Sequence, residues 1–337
     1  MSSWDNDLGV YLIAEIGGNH EGNYNKAKEL VELAFKSGVD AIKFQIYTAD
    51  ALVNKIEDPE RHEHFKKFEL TPEEHITLAE MCQSNKVTYL ASVWDINVLE
   101  WIDPYMEFYK IGSGDLTAYP ILERIATIGK PIIISTGLAT IEEVRESVEY
   151  VRSIDKRYRQ SDYLALLQCT SSYPLPESDV NLRVMETLKE EFNVTVGYSD
   201  HTTDSYAVEV AVSMGAAILE LHFTDDNKRS SFRDHQVSFT AMEIGDLIDK
   251  IIRIKKLQGS SEKNPTESEI ESGNVHSFRR DIYAAKDLQA GDILTESALK
   301  FLRPDRNSDI TYWRNFIGRT LKKPVAKYQK IYSDFVF

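Results

Sequence analysis

Over the first 258 residues, short apolar runs alternate with longer stretches in which apolar positions recur every three or four residues. The runs fall at residues 10–16, 41–45, 88–93, 108–111, 131–135, 163–168, 195–198 and 217–223, and the stretches include 24–37, 72–85, 140–152 and 241–257. A short continuous apolar run is the pattern of a strand covered on both faces, as in a parallel sheet, whereas the longer recurrence is that of an amphipathic helix. Thr71-Pro72-Glu73-Glu74 marks one helix start, with a capping hydroxyl, a first-turn proline and two acidic groups at the positive end of the helix dipole. Eight such units over about 250 residues match the arithmetic of a (β/α)8 TIM barrel, an α/β fold. A doubly wound open sheet shares the alternation, because periodicity does not show closure.

The pattern then changes. Residues 259–275, GSSEKNPTESEIESGNV, have no apolar period and read as a linker. Residues 276–337 hold short β-like pieces at 281–284 and 298–302 and the turn signal Ala290-Gly291-Asp292, the content of a small compact module. Charge divides at the same place. The chain carries 39 basic and 54 acidic side chains, a net of −15, of which residues 276–337 contribute +5 and residues 1–275 the remaining −20. So acidic a chain is a poor general nucleic-acid binder. No apolar run reaches the ~18–20 residues that cross a bilayer, and the acidic, polar start is unlike a signal peptide. The two cysteines, Cys82 and Cys169, make no disulfide framework. These features together describe a cytoplasmic protein without nucleic-acid or membrane partners.

In a barrel of this type the chemistry sits where strands end and loops begin. Lys43 and Lys110 fall inside apolar strands, where a bare ammonium group is costly, so each needs either an anionic ligand or a barrel carboxylate such as Glu15. Small and hydroxylated residues at 112–114, 136–137 and 197–199 allow close backbone approach to a phosphate or carboxylate, and together with the lysines they suggest an anion site. His201 and His222 end neighbouring strands, close enough either to share a divalent ion or to be ordinary hydrogen-bonded histidines. The other six histidines stand mostly in surface-like contexts, His62 and His64 in a charged segment. Cys82 reads as helix core, and Cys169 as packing rather than a nucleophile.

In this order, IAEIGGNHEGN (13–23), IKFQ (42–45), YKIGSGD (109–115), STG (135–137), CTSSYP (169–174), GYSDHT (197–202) and ILELHFT (218–224) resemble the signatures of the sialic acid (nonulosonic acid) synthase family. SFRRDIYAAKDLQAGDIL (277–294) and FLRP (301–304) resemble its small C-terminal antifreeze-like (SAF) domain. The resemblance implies a synthase that condenses phosphoenolpyruvate (PEP) with an N-acetylated hexosamine such as N-acetylmannosamine and releases phosphate. It implies that His201 and His222 hold a divalent metal, Mn2+ or Mg2+. By the same likeness Lys43, Ser92, Lys110, Ser113, Ser135, Ser171 and Ser199 bind PEP, while Glu15, Gln45, Tyr173 and Asp234 face the sugar. Glu15, Lys43 and Lys110 are the expected catalytic groups, with Glu15 as proton carrier. Arg303 is expected to reach the sugar site of the other subunit in a domain-swapped homodimer.

The chain also departs from that family. Ser92 and Ser171 stand where members often carry Thr and Asn, and Ser231-Phe232-Arg233-Asp234-His235 replaces a Gly-Pro-Asp-His-like stretch. Phe232 and Arg233 add bulk and charge beside the expected sugar pocket, which opens the choice of acceptor to phosphorylated or diacetamido sugars. Two other readings exist. A Schiff-base aldolase using Lys43 or Lys110 would need no metal, and a carbohydrate- or ice-binding module on a scaffold barrel would need no chemistry. The paired histidines and the surplus of anion-binding positions argue against the aldolase, and the scaffold reading does not explain polar residues at all eight strand ends.

Overall fold

The computed structural model describes residues 4–229, 232–304 and 310–337. The chain forms two compact units, Met1–Gly259 and Ser260–Phe337. In the first, the strands are β1 (Tyr11–Glu15), β2 (Ala41–Ile46), β3 (Thr88–Val93), β4 (Tyr109–Ile111), β5 (Ile132–Ser135), β6 (Leu164–Cys169), β7 (Thr195–Asp200) and β8 (Ile218–His222). They pair in sequence order, and β8 returns to β1 in parallel, so the sheet is a closed barrel and not an open one. Its helices are α1 (Tyr24–Ser37), α2 (Ala49–Leu52), α3 (Pro59–Phe68), α4 (Pro72–Ser84), α5 (Leu99–Ile102), α6 (Tyr119–Ile128), α7 (Ile141–Ile154), α8 (Val184–Phe192), α9 (Tyr206–Ser213) and α10 (Ala241–Gln258).

Local sequence explains the main boundaries. Helices α4, α7 and α10 begin with capping boxes, Thr71 with Glu74, Thr140 with Glu143 and Thr240 with Glu243, each satisfying two otherwise orphaned backbone N–H groups. The strands are buried on both faces, and apolar residues such as Ile13, Phe44, Ile133, Leu166 and Leu219 join the inner faces of the helices in one core. The connection between β2 and α4 is the elaborate one, since it inserts α2 and α3 before the helix that packs on the barrel.

In the second unit, α11 (Glu267–Glu271) and α12 (Asn274–Ser277) precede an antiparallel pair, β9 (Asp281–Ala284) with β10 (Leu299–Leu302). Its own core gathers Ile282, Leu288, Leu294, Leu321, Val325 and Ile331. The 259–275 stretch, read as a linker, carries α11 and the start of α12. The first is held by a Thr266–Glu269 capping box, while Ile270 stays exposed, so no buried face marks it in the sequence. Among the described residues no helix is long and apolar enough to cross a membrane.

Candidate active site

Register brings the strand-end polar residues together. Glu15 is paired with Lys43 on one side and His222 on the other, Gln45 with Ser92, Ser92 with Lys110, and Ser199 with Glu220. All of them line one cavity of about 1120 Å³, together with Ser113, Ser135, Cys169, Ser171, Tyr173, His201 and Asp234. Lys43 Nζ lies 2.7 Å from Glu15 Oε2 and donates to Ser92 Oγ at 3.2 Å. Lys110 Nζ donates to Ser135 Oγ at 2.6 Å and to the Ile111 carbonyl at 2.9 Å. Gln45 Nε2 donates to the second oxygen of Glu15 at 2.7 Å. Ser113 Oγ accepts from the Gly137 N–H at 3.0 Å. A Cβ at Gly137 would come within 2.6 Å of Ser171 Oγ and 2.8 Å of Ser113 Oγ, so glycine there keeps the two hydroxyls at one rim.

The barrel thus holds both lysines with carboxylates. Glu15 is the partner anticipated for Lys43. Glu220 was not: its Oε2 lies 3.8 Å from Lys43 Nζ and 3.7 Å from Lys110 Nζ, and its Oε1 accepts from Ser199 Oγ at 3.1 Å. Burial would raise the Glu220 carboxyl, but the two ammonium groups outweigh it and hold it below its ordinary value. Burial pushes Glu15 up against the pull of Lys43, and holds the Lys110 ammonium down. An anionic ligand would meet two ammonium groups and a ring of hydroxyls, with the protein's own carboxylates close enough to exchange a proton.

His201 and His222 face each other with ring centroids 5.2 Å apart, and Tyr173 lies 4.0 Å from the first and 5.7 Å from the second. His201 Nδ1 is 2.8 Å from the Thr170 carbonyl, which can only accept, so Nδ1 carries the proton and Nε2 offers a lone pair. His222 Nδ1 is buried without a hydrogen-bond partner, 3.9 Å from Asp234 Oδ2. Burial holds His222 neutral, well below the usual imidazole range. A neutral orphaned imidazole beside an oriented one is a donor set that fits a divalent ion. Among the described residues no three His, Cys, Asp or Glu side chains gather as a ligand set, so such an ion would take two protein ligands and oxygens from substrate or water.

The remaining expectations divide. Arg303 belongs to the second unit, where its guanidinium lies 5.4 Å over the Phe278 ring. Cys169 is buried as expected but lines the cavity, with Sγ 3.9 Å from His201 Nδ1. The six other histidines are not mostly at the surface: His20, His62, His75 and His235 are buried, because their neighbours pair or pack with them. His235, for instance, bridges Thr224 Oγ1 at 2.7 Å and Glu21 Oε1 at 3.1 Å, which anchors the segment carrying Asp234. Asp115, which was not among the expected site residues, also lines the cavity, and burial pushes its carboxyl up to about 6. Its place in YKIGSGD was the available signal.

Comparison with known proteins agrees with this architecture. The NeuB family profile matches residues 30–263, and the SAF domain profile matches residues 279–332. The chain is 37% identical over 324 residues to the N,N'-diacetyllegionaminic acid synthase of Legionella pneumophila, covering 92% of this chain and 90% of that protein. It is 30% identical over 302 residues to the human N-acetylneuraminate-9-phosphate synthase, covering 86% and 82%. The crystal structure of the N-acetylneuraminic acid synthetase of Leptospira borgpetersenii superposes with a TM-score of 0.70 at 32% identity, covering 79% of this chain and 90% of that one. A closed barrel with this set of strand-end groups, matched over most of its length and followed by a SAF domain, places the chain in the NeuB family.

Proposed function

We propose that this protein is a nonulosonic acid synthase that condenses PEP with an open-chain N-acetylated hexosamine and releases phosphate. The observation that carries the reading is the single cavity in which Lys43 and Lys110, with their serines, adjoin Glu15 and the His201–His222 pair. The family's named synthases support the reaction class, and their products differ in the sugar.

Lys43, Lys110, Ser92, Ser113, Ser135, Ser171 and Ser199 hold the carboxylate and phosphate of PEP, which fixes its C3 toward the sugar aldehyde. His201 and His222 would hold a divalent ion, which would supply Lewis acidity at that aldehyde when bound. C3 forms a bond to the aldehyde carbon, whose oxygen takes the proton that the raised Glu15 carboxyl carries, and C2 becomes cationic. Glu15, now ionised, takes a proton back from water as the water oxygen bonds to C2. The C2–O bond to phosphate then breaks, the electron pair leaves with phosphate, the C2 hydroxyl gives its proton to the departing phosphate, and a 2-keto acid remains. Lys110 and Ser135 stabilise the departing charge. Gln45, Tyr173 and Asp234 face the sugar, and Arg303 completes the sugar site from a second copy in a swapped homodimer.

The test is phosphate release from PEP with manganese and a panel of acceptors: N-acetylmannosamine, its phosphate ester and a diacetamido analogue. Release that stops with a chelator and is lost in His222→Ala is the expected result. Release that persists in chelator removes the metal from the mechanism. Silence across the panel with folded protein overturns the synthase reading, and trapping of a lysine adduct by borohydride would replace it with the aldolase.

A further inference from the structure

The cavity changes character toward its mouth. Strand residues with charged side chains make its floor, whereas the β2–α4 connection, the end of β3 and the loop after β8 add the rings of His64, Phe65, Trp94 and Phe232. Phe232 is held firmly. Its ring centroid lies 5.0 Å from that of Phe68 and 6.0 Å from that of His64, the latter stacked at 29°. On another side it rests on Gly18, where a Cβ would come within 2.9 Å of the ring, so a side chain at residue 18 would push the ring from its seat.

The charges around this wall limit what it can receive. Glu57, Asp58 and Asp115 line the mouth beside Arg61. Arg233 is already engaged, with Nε 3.3 Å from Asp234 Oδ1 and its guanidinium 4.8 Å over the Tyr173 ring. A phosphate dianion needs donors that are free to neutralise it, and carboxylates outnumber them here. Ring faces, by contrast, favour methyl-bearing groups removed from water.

We infer that Phe232, seated on Gly18 and backed by Phe68 and His64, is a specificity-determining residue that receives the non-reacting end of the acceptor and selects an uncharged, methyl-bearing substituent, acetamido or deoxy, over hydroxyl or phosphate. The inference rests on the synthase reading above and names the acceptor class for it.

The experiment measures kcat/KM for N-acetylmannosamine, its phosphate ester at the terminal hydroxyl, and the diacetamido analogue lacking that hydroxyl. The native enzyme is expected to favour the last over the first by roughly 10- to 200-fold, the range that a methyl-sized change commands in an apolar pocket. In Phe232→Ala, and independently in Phe68→Ala, that preference falls toward parity while KM for PEP stays unchanged. Phe232→Leu, which keeps apolar volume, retains part of the preference and serves where the alanine variant does not fold. A native preference for the hydroxylated or phosphorylated sugar overturns the inference, as does a preference that survives in the folded alanine variants. Turnover of none of the three overturns the synthase reading and this inference with it.

Discussion

Lys43, Lys110, Glu15 and Glu220 set two charges of each sign at the cavity floor, so the protein's own charges there cancel. Glu220 is the shared partner, with one oxygen within 4 Å of both ammonium groups. Glu220→Gln leaves an uncompensated buried ammonium, and is expected to cost about 3 kcal/mol of folding stability. PEP should then restore more stability than it gives the native protein, because a multiply charged anion meets a net positive floor. Thermal melting over a PEP titration checks both halves; equal melting points and equal shifts would show that Glu220 does not share in the anion site. Sequence alone carried part of this floor. Lys43, Lys110 and Glu15 are conspicuous because a charge inside an apolar strand must be answered. Glu220 escaped, although it lies two residues before His222, because its partners come from β2, β4 and β7, which no local pattern connects.

At the scale of elements, the strands and the capped helices were legible because each carries its period and its punctuation. Helix α3 was not. PERHEHFKKF buries only His62, so its apolar period is faint, yet with α2 it builds one side of the cavity mouth. Burial of histidines is equally hard to read, and it has a measurable consequence. His20, after β1, and His75, in α4, flank Phe44 with centroids 6.2 and 6.1 Å from its ring, and His75 Nδ1 lies 3.0 Å from Tyr89 Oη. Burial holds His20 down to about 4 and His75 down to about 3. In the unfolded chain both take up protons near pH 6.5, so below that pH the unfolded state binds protons that the fold does not, and stability falls with pH until the folded values are reached. The loss is about 2 kcal/mol per histidine between pH 6.5 and pH 5. Urea midpoints at pH 7 and pH 5 should show it, and His75→Gln should remove about half of this histidine contribution. An unchanged difference between the two pH values in that variant would mean that His75 is protonated in the fold.

For the whole molecule, the order of segments pointed to a barrel followed by a small module, while closure needed β8 to meet β1, a pairing between opposite ends of the unit. The proposed swapped dimer belongs to this scale too. Residues 276–337 carry +5 and residues 1–275 carry −20, a division of charge consistent with the proposed docking of one copy's basic module on another's acidic barrel. In the proposed dimer each site combines one chain's barrel with the other chain's Arg303. Arg303→Ala then leaves the barrel intact but spoils the arm, and His222→Ala does the reverse. Each homodimer is expected to be weak. Co-expressed chains form a mixed dimer in which the intact barrel of the first receives the intact arm of the second, and activity returns at one site of the two. Arg303→Ala alone should raise KM for the sugar and leave KM for PEP unmoved. If the purified mixed dimer is no more active than its parents, while Arg303→Ala alone is impaired, Arg303 serves the barrel of its own chain and the arms are not exchanged.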